Sequence, residues 1–201
     1  MQERNLKENL ILKNGEYYYE GGNLVLENSE YYLKGDLLIS GGTIIMTNSN
    51  LVVEGDLKVF PALNEDGSIA SPISAATIVD GGIYAKSISI FADIVIRNGN
   101  VCTFGNLDCE NIYSANGDIN VGGNANVFNV YCRNYLVDGT NSSYNIEADE
   151  SIYIMEYSDN FNINAPEVFL GYGADFNNGI IIAKKFDFGG HVKNCLRRYF
   201  S

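Results

Sequence analysis

A chain of 201 residues with 25 acidic and 13 basic side chains carries a net charge of −12. That excess excludes nucleic acid as a partner, because phosphate binding needs clustered Lys and Arg. No stretch reaches the ~18 apolar residues of a membrane-spanning helix, so no membrane role is expected.

Residues 1–9 are polar and read as a short helix or loose chain. The repeat begins after them: Gly15 precedes Tyr17-x-Tyr19 as Gly35 precedes Leu37-x-Ile39, 20 residues later. Residues 21–40 (GGNLVLENSEYYLKGDLLIS) are rewritten at 41–60 (GGTIIMTNSNLVVEGDLKVF) with seven identical positions. Within them Leu24-x-Leu26, Tyr31 to Leu33, Leu37-x-Ile39, Ile44-x-Met46, Leu51 to Val53 and Leu57-x-Val59 alternate with period two. These pieces are too short and too evenly spaced for the hairpins of a sandwich; self-similarity at a fixed period marks a solenoid.

The segment 60–76 holds two prolines, Gly67 and small polar residues, and reads as a loop inserted at a corner. Beyond it, strand starts at 83, 101, 119 and 137 and at 94, 112 and 130 recur every 18 residues, while 88, 107 and 125 recur at 19 and 18. The predicted fold is all-β, a single-domain three-sided parallel β-helix of about eight coils, 18–20 residues each. Glycines two residues ahead of the strands, and 26 asparagines, supply the corner conformations.

After Gly139 the spacing loosens. Val192, Cys195/Leu196 and Tyr199/Phe200 then fall at helical spacing, opposite Lys193, Arg197 and Arg198. The sequence therefore predicts a β-helix over 1–183 and a basic amphipathic cap over 184–201, with a short C-terminal capping helix at 191–200. Charge divides the same way. Residues 1–183 hold 24 acids and 8 bases, net −16; residues 184–201 hold 1 acid and 5 bases, net +4. Lys193, Arg197, Arg198, Tyr199 and Phe200 are the expected capping or partner contacts.

No constellation points to catalysis, a metal or a cofactor. Left-handed β-helix acyltransferases share the coil length but use a histidine base, and the single histidine, His191, reads as a cap residue. Polysaccharide lyases and hydrolases need clustered carboxylates and, for lyases, a base, usually beside long cleft-forming loops. Asp36 and Asp56 occupy equivalent corners and read as turn residues, with a shared cation as the sharper alternative. Cys102, Cys109, Cys132 and Cys195 lack paired metal or redox spacing and read as reduced fillers, consistent with a cytoplasmic setting. Asn141-Ser142-Ser143 is a glycosylation sequon, of no meaning without export. Fourteen tyrosines and no tryptophan leave Tyr18 and Tyr31 as a candidate outward patch for a sugar or a protein.

The units VVEGDLKV at 52–59 and NGDINV at 116–121 resemble the corner-plus-strand units of bactofilins, bacterial polymer-forming cytoskeletal proteins. The resemblance covers mainly residues 15–139 and implies a non-enzymatic, nucleotide-free scaffold that stacks end to end. The basic C-terminal segment departs from the short polar or proline-rich tails of that family, and a cap there would block stacking. The expected function is a structural or protein-interaction module that binds itself or another protein. A carbohydrate-binding or polysaccharide-processing β-helix is the alternative.

Overall fold

The computed structural model describes residues 2–5, 11–13, 16–19, 22–66, 68–71, 76–159, 161–171 and 175–199. The described chain is a parallel β-solenoid of about nine turns, with no helix. Apart from two antiparallel pairs, residues 11–13 with 16–18 at the N-terminal end and the pair within the inserted segment, the strands pair in parallel with the strand one coil away, and these pairings sort into three ladders. In the first, Tyr17 pairs with Leu37, which pairs with Leu57, and the column continues through Ile88, Leu107 and Ala125. In the second, Thr77, Ile94, Ile112, Val130, Ile146, Ile163 and Ile181 stand in one register. In the third, Tyr31, Leu51, Ile83, Val101 and Ile119 do the same.

Alternation within each strand sends these residues inward, and almost all of them are buried. A single coil has no second layer to cover its apolar face, so each rung is stabilised by the rungs beside it. Withdrawing a side chain such as Ile119 from water contributes about 1.5–3 kcal/mol.

The corners follow a common device. A polar side chain of one coil accepts a backbone N–H of the next. Asp36 Oδ1 accepts from Asp56 N–H at 2.8 Å, Asn50 Oδ1 from Gly82 N–H at 2.8 Å, and Asn106 Oδ1 from Asn124 N–H at 3.0 Å. Asn28 and Asn48 turn the corner with φ of 51° and 47°, the left-handed conformation that Asn tolerates best after Gly. One outward stack forms a longer amide ladder: Asn111 donates to Asp93, Asn129 to Asn111, Asn145 to Asn129 and Asn162 to Asn145, over 2.6–3.0 Å. The long coil from Leu57 to Ile88 carries the inserted segment, in which Ala62–Leu63 and Ile69–Ser71 pair antiparallel.

Three expectations are corrected. The capping helix at 191–200 is absent. Lys185–Phe188, His191–Lys193 and Leu196–Tyr199 are three more strands, and each extends one ladder. A helix of about ten residues is marginal alone, whereas the preceding rung offers an edge of unpaired N–H and C=O groups. Residues 2–5, read as helical or loose, form a strand parallel to residues 29–32. The column of Ile83, Val101 and Ile119 continues at Tyr135, and Val137 pairs with Val121. That coil has shortened by two residues.

Candidate functional site

Of the two tyrosines proposed as a surface patch, Tyr31 is not on the surface. It is 8% exposed in the third ladder's inward column, and its hydroxyl donates to Glu27 O at 3.2 Å. The register started by Ser29 makes odd positions of this strand face inward, so Tyr32 takes the outward place and is half-buried. Tyr18 is also half-buried and donates to Glu16 Oε2 at 2.8 Å. Asp36 and Asp56 each have a partner at their corner. Asp36 is engaged with the backbone, and Asp56 lies 3.8 Å from Lys58 Nζ. Among the described residues no group of three His, Cys, Asp or Glu side chains is placed to hold a metal.

His191 sits on the last rung beside Asp175, with Nδ1 3.7 Å from Oδ1. The sequon asparagine, Asn141, is 1% exposed, so its amide is inaccessible in the folded chain. It belongs to a buried polar cluster that sequence reasoning missed. Tyr135 Oη donates to Asn141 Oδ1 at 3.0 Å and lies 3.2 Å from Ser143 Oγ, while Asn141 Nδ2 donates to Ser158 Oγ at 3.2 Å. Burial pushes the Tyr135 phenol well above its ordinary range, so it stays a neutral donor.

The last rung gathers most of the predicted terminal contacts. Arg197 stands in register with buried Ile181 and occupies the inward position of its strand. Its guanidinium lies 5.3 Å from the Phe186 ring centroid and 4.7 Å from that of Phe188, across the end of the core. Phe186 and Phe188 stack at 5.3 Å, and Phe188 and Leu196 are exposed. Lys193 and Arg198 are also exposed. Lys185 pairs with Glu167 of the rung before at 3.5 Å. Among the described residues, no strand pairs with the far side of these three. Phe200 and the Tyr199 side chain lie outside the described residues.

A second surface feature lies along the corner between the first and second ladders. Phe91 is 60% exposed and Phe128 is 61% exposed, and both follow an inward residue directly. Tyr144 of the next coil stacks on Phe128 at 5.6 Å and 13°. Glu110 separates Phe91 from Phe128, with a cleft on each side. One cleft is lined by Ser89, Ile90, Phe91, Asp108, Cys109 and Glu110. The other is lined by Cys109, Glu110, Asn111, Asn126, Val127, Phe128 and Ser142. Burial first, then the carboxylates of Asp108, Asp93 and Glu110, pushes the Cys109 thiol far up. The signal available in the sequence was a Phe directly after a strand's last inward residue, at Ile90-Phe91 and Val127-Phe128.

No protein-family model matches the chain, and no curated protein or solved structure matches it either.

Proposed function

We propose that this protein is a non-enzymatic, three-sided β-solenoid scaffold that associates with copies of itself through its terminal rungs. The observation that carries the reading is the open C-terminal rung. Among the described residues, three strands, one at the end of each ladder, keep one edge unpaired, and the apolar residues Phe188 and Leu196 lie exposed around Arg197. An uncovered sheet edge is a template for further strand pairing. With no helix across it, the objection to stacking falls, and the resemblance of residues 52–59 and 116–121 to bactofilin units supports the same reading. The carbohydrate alternative loses one of its two tyrosines, because Tyr31 is in the core.

Light scattering over a concentration series tests the proposal. Mass is expected to rise with concentration, without a plateau at the dimer, and to fall at high salt. Arg197→Pro is the sharper probe. Leu196 N–H donates inward to Gly179 O at 2.9 Å, so alternation turns the Arg197 N–H to the free edge. Proline there blocks pairing outward while sparing the ladder behind it. A wild-type protein that stays monomeric at all concentrations overturns the proposal.

A further inference from the structure

We infer that the corner groove of Phe91, Glu110 and Phe128 binds a proline-rich segment carrying arginine or lysine. The inference deepens the reading of an interaction module and names a partner for the side of the solenoid, away from its ends. Two observations carry it, one of spacing and one of charge.

Phe91 and Phe128 flank Glu110 across two successive coils, since Ile90, Cys109 and Val127, the residues before them, share one register. Coils repeat at the strand spacing, so the backbone positions that carry the two side chains are about 9.6 Å apart along the axis. A polyproline II helix repeats every three residues, about 9.3 Å. Prolines at i and i+3 of such a ligand therefore match the rise between the two positions. An extended β-strand, with same-side residues about 6.7 Å apart, does not fit this spacing. Docking of a preformed polyproline helix on exposed, aromatic-lined grooves is an established mode of recognition, and it suits a rigid platform. Tyr144, stacked on Phe128, widens the platform at one end. The coil with Phe91 has one extra residue between Ile90 and Ile94, compared with Cys109 to Ile112, and there Glu110 N–H donates to Ala92 O at 3.4 Å.

Charge selects the residue between the prolines. Glu110 lies between the rings and Asp108 lines the same cleft. Among the described residues, none of the ion pairs reaches either carboxylate. Asp108 accepts only a neutral amide N–H from Asn126, at 3.0 Å. A guanidinium beside Glu110 gains both a carboxylate and the face of a phenyl ring.

The test is a fluorescence-anisotropy titration of the intact protein with a labelled (Pro-Pro-Arg)4 peptide, against (Gly-Gly-Arg)4 of equal charge. The proline peptide is expected to bind at least ten-fold more tightly. Phe91→Ser and Phe128→Ser should each weaken it about ten-fold, and Glu110→Gln several-fold, with circular dichroism unchanged because all three side chains are exposed. Equal affinity for the two peptides reduces the effect to general attraction by an acidic body and overturns the inference. So does binding that survives the Phe substitutions, or saturable binding of a soluble cello-oligosaccharide in place of the peptide. A change of mass in light scattering on Glu110→Gln, without peptide binding, assigns the groove to a second copy and also overturns it. Failure of self-association leaves the peptide result intact, so the two readings fail separately.

Discussion

Replacing Gly99 by alanine tests how closely the coils approach at one corner, and Gly22 is its reference. Gly99 has φ of +117°, where L-residues are strained, and a Cβ built there would lie 2.2 Å from Gly81 O and 2.4 Å from Gly81 C. Gly22 has φ of +86° but nothing within 4 Å of the same position. Gly22→Ala thus carries only the backbone term, about 1–2 kcal/mol. Gly99→Ala adds a displacement of more than an ångström between coils joined at this corner by Gly81 N–H donating to Asn98 O at 2.6 Å and Ile83 N–H to Asn100 O at 2.9 Å. Losing or stretching two such bonds contributes about 1–3 kcal/mol. The sum is about 2–5 kcal/mol, a large share of the 5–15 kcal/mol typical of a domain. Equilibrium urea unfolding followed by circular dichroism measures both variants. Because a repeat array couples only neighbouring coils, Gly99→Ala should also lower the slope of the transition. If Gly99→Ala is no more destabilising than Gly22→Ala, the close approach of the coils at this corner is wrong.

Tyr135→Phe removes the donor to Asn141 Oδ1 inside the core, and an unsatisfied buried acceptor costs about 1–3 kcal/mol, read as a lower midpoint in thermal unfolding. Asp118 accepts Arg133 Nε at 2.9 Å and Nη2 at 2.7 Å, and this pairing holds its carboxyl below the usual carboxylate range. A depressed folded value means stability present above the unfolded value of about 3.9 and lost as pH falls through it toward the folded value. The melting-temperature gap between wild type and Asp118→Asn should accordingly narrow from pH 7 toward about pH 3, and a constant gap would count against the pair. Burial raises the thiols of Cys109 and Cys132, so a thiol reagent with mass spectrometry should label half-buried Cys102 well before either.

Much of the ladder register was legible, because the chemistry of a corner repeats with the coil. Ile88, Leu107 and Ala125 were aligned by spacing alone and do share a register, as do Ile94, Ile112 and Val130. The alignment failed where coils shorten: Val130 to Ile146 and Tyr135 to Ile152 span 16 and 17 residues, and a fixed period of 18 drifts there by a residue or two. The C-terminal helix failed for a related reason. Residues 176–182 and 192–198 pair as successive rungs with left-handed corners at Asn178 and Asn194, 16 residues apart. Read as one segment, the second copy also matches a helical stripe. Tertiary pairing decided between two local patterns that composition leaves nearly equal. For the tyrosines, alternation correctly set neighbours on opposite faces, but which face is inward depends on register, and register is a property of two coils together.

The polarity of the proposed assembly follows from charge. Residues 1–30 hold 6 acids and 3 bases, net −3, and residues 184–201 have a net of +4. Two C-terminal rungs face to face would set Lys193, Arg197 and Arg198 against their own copies, with Asp187 the lone acid of that segment. A C-terminal rung on an N-terminal one brings opposite charges together and steers the approach. Such a contact joins two different surfaces, and unless the rotation closes into a ring it propagates. Attraction between unlike ends and, among the described residues, the uncovered edge of the C-terminal rung thus both favour an open, polar filament.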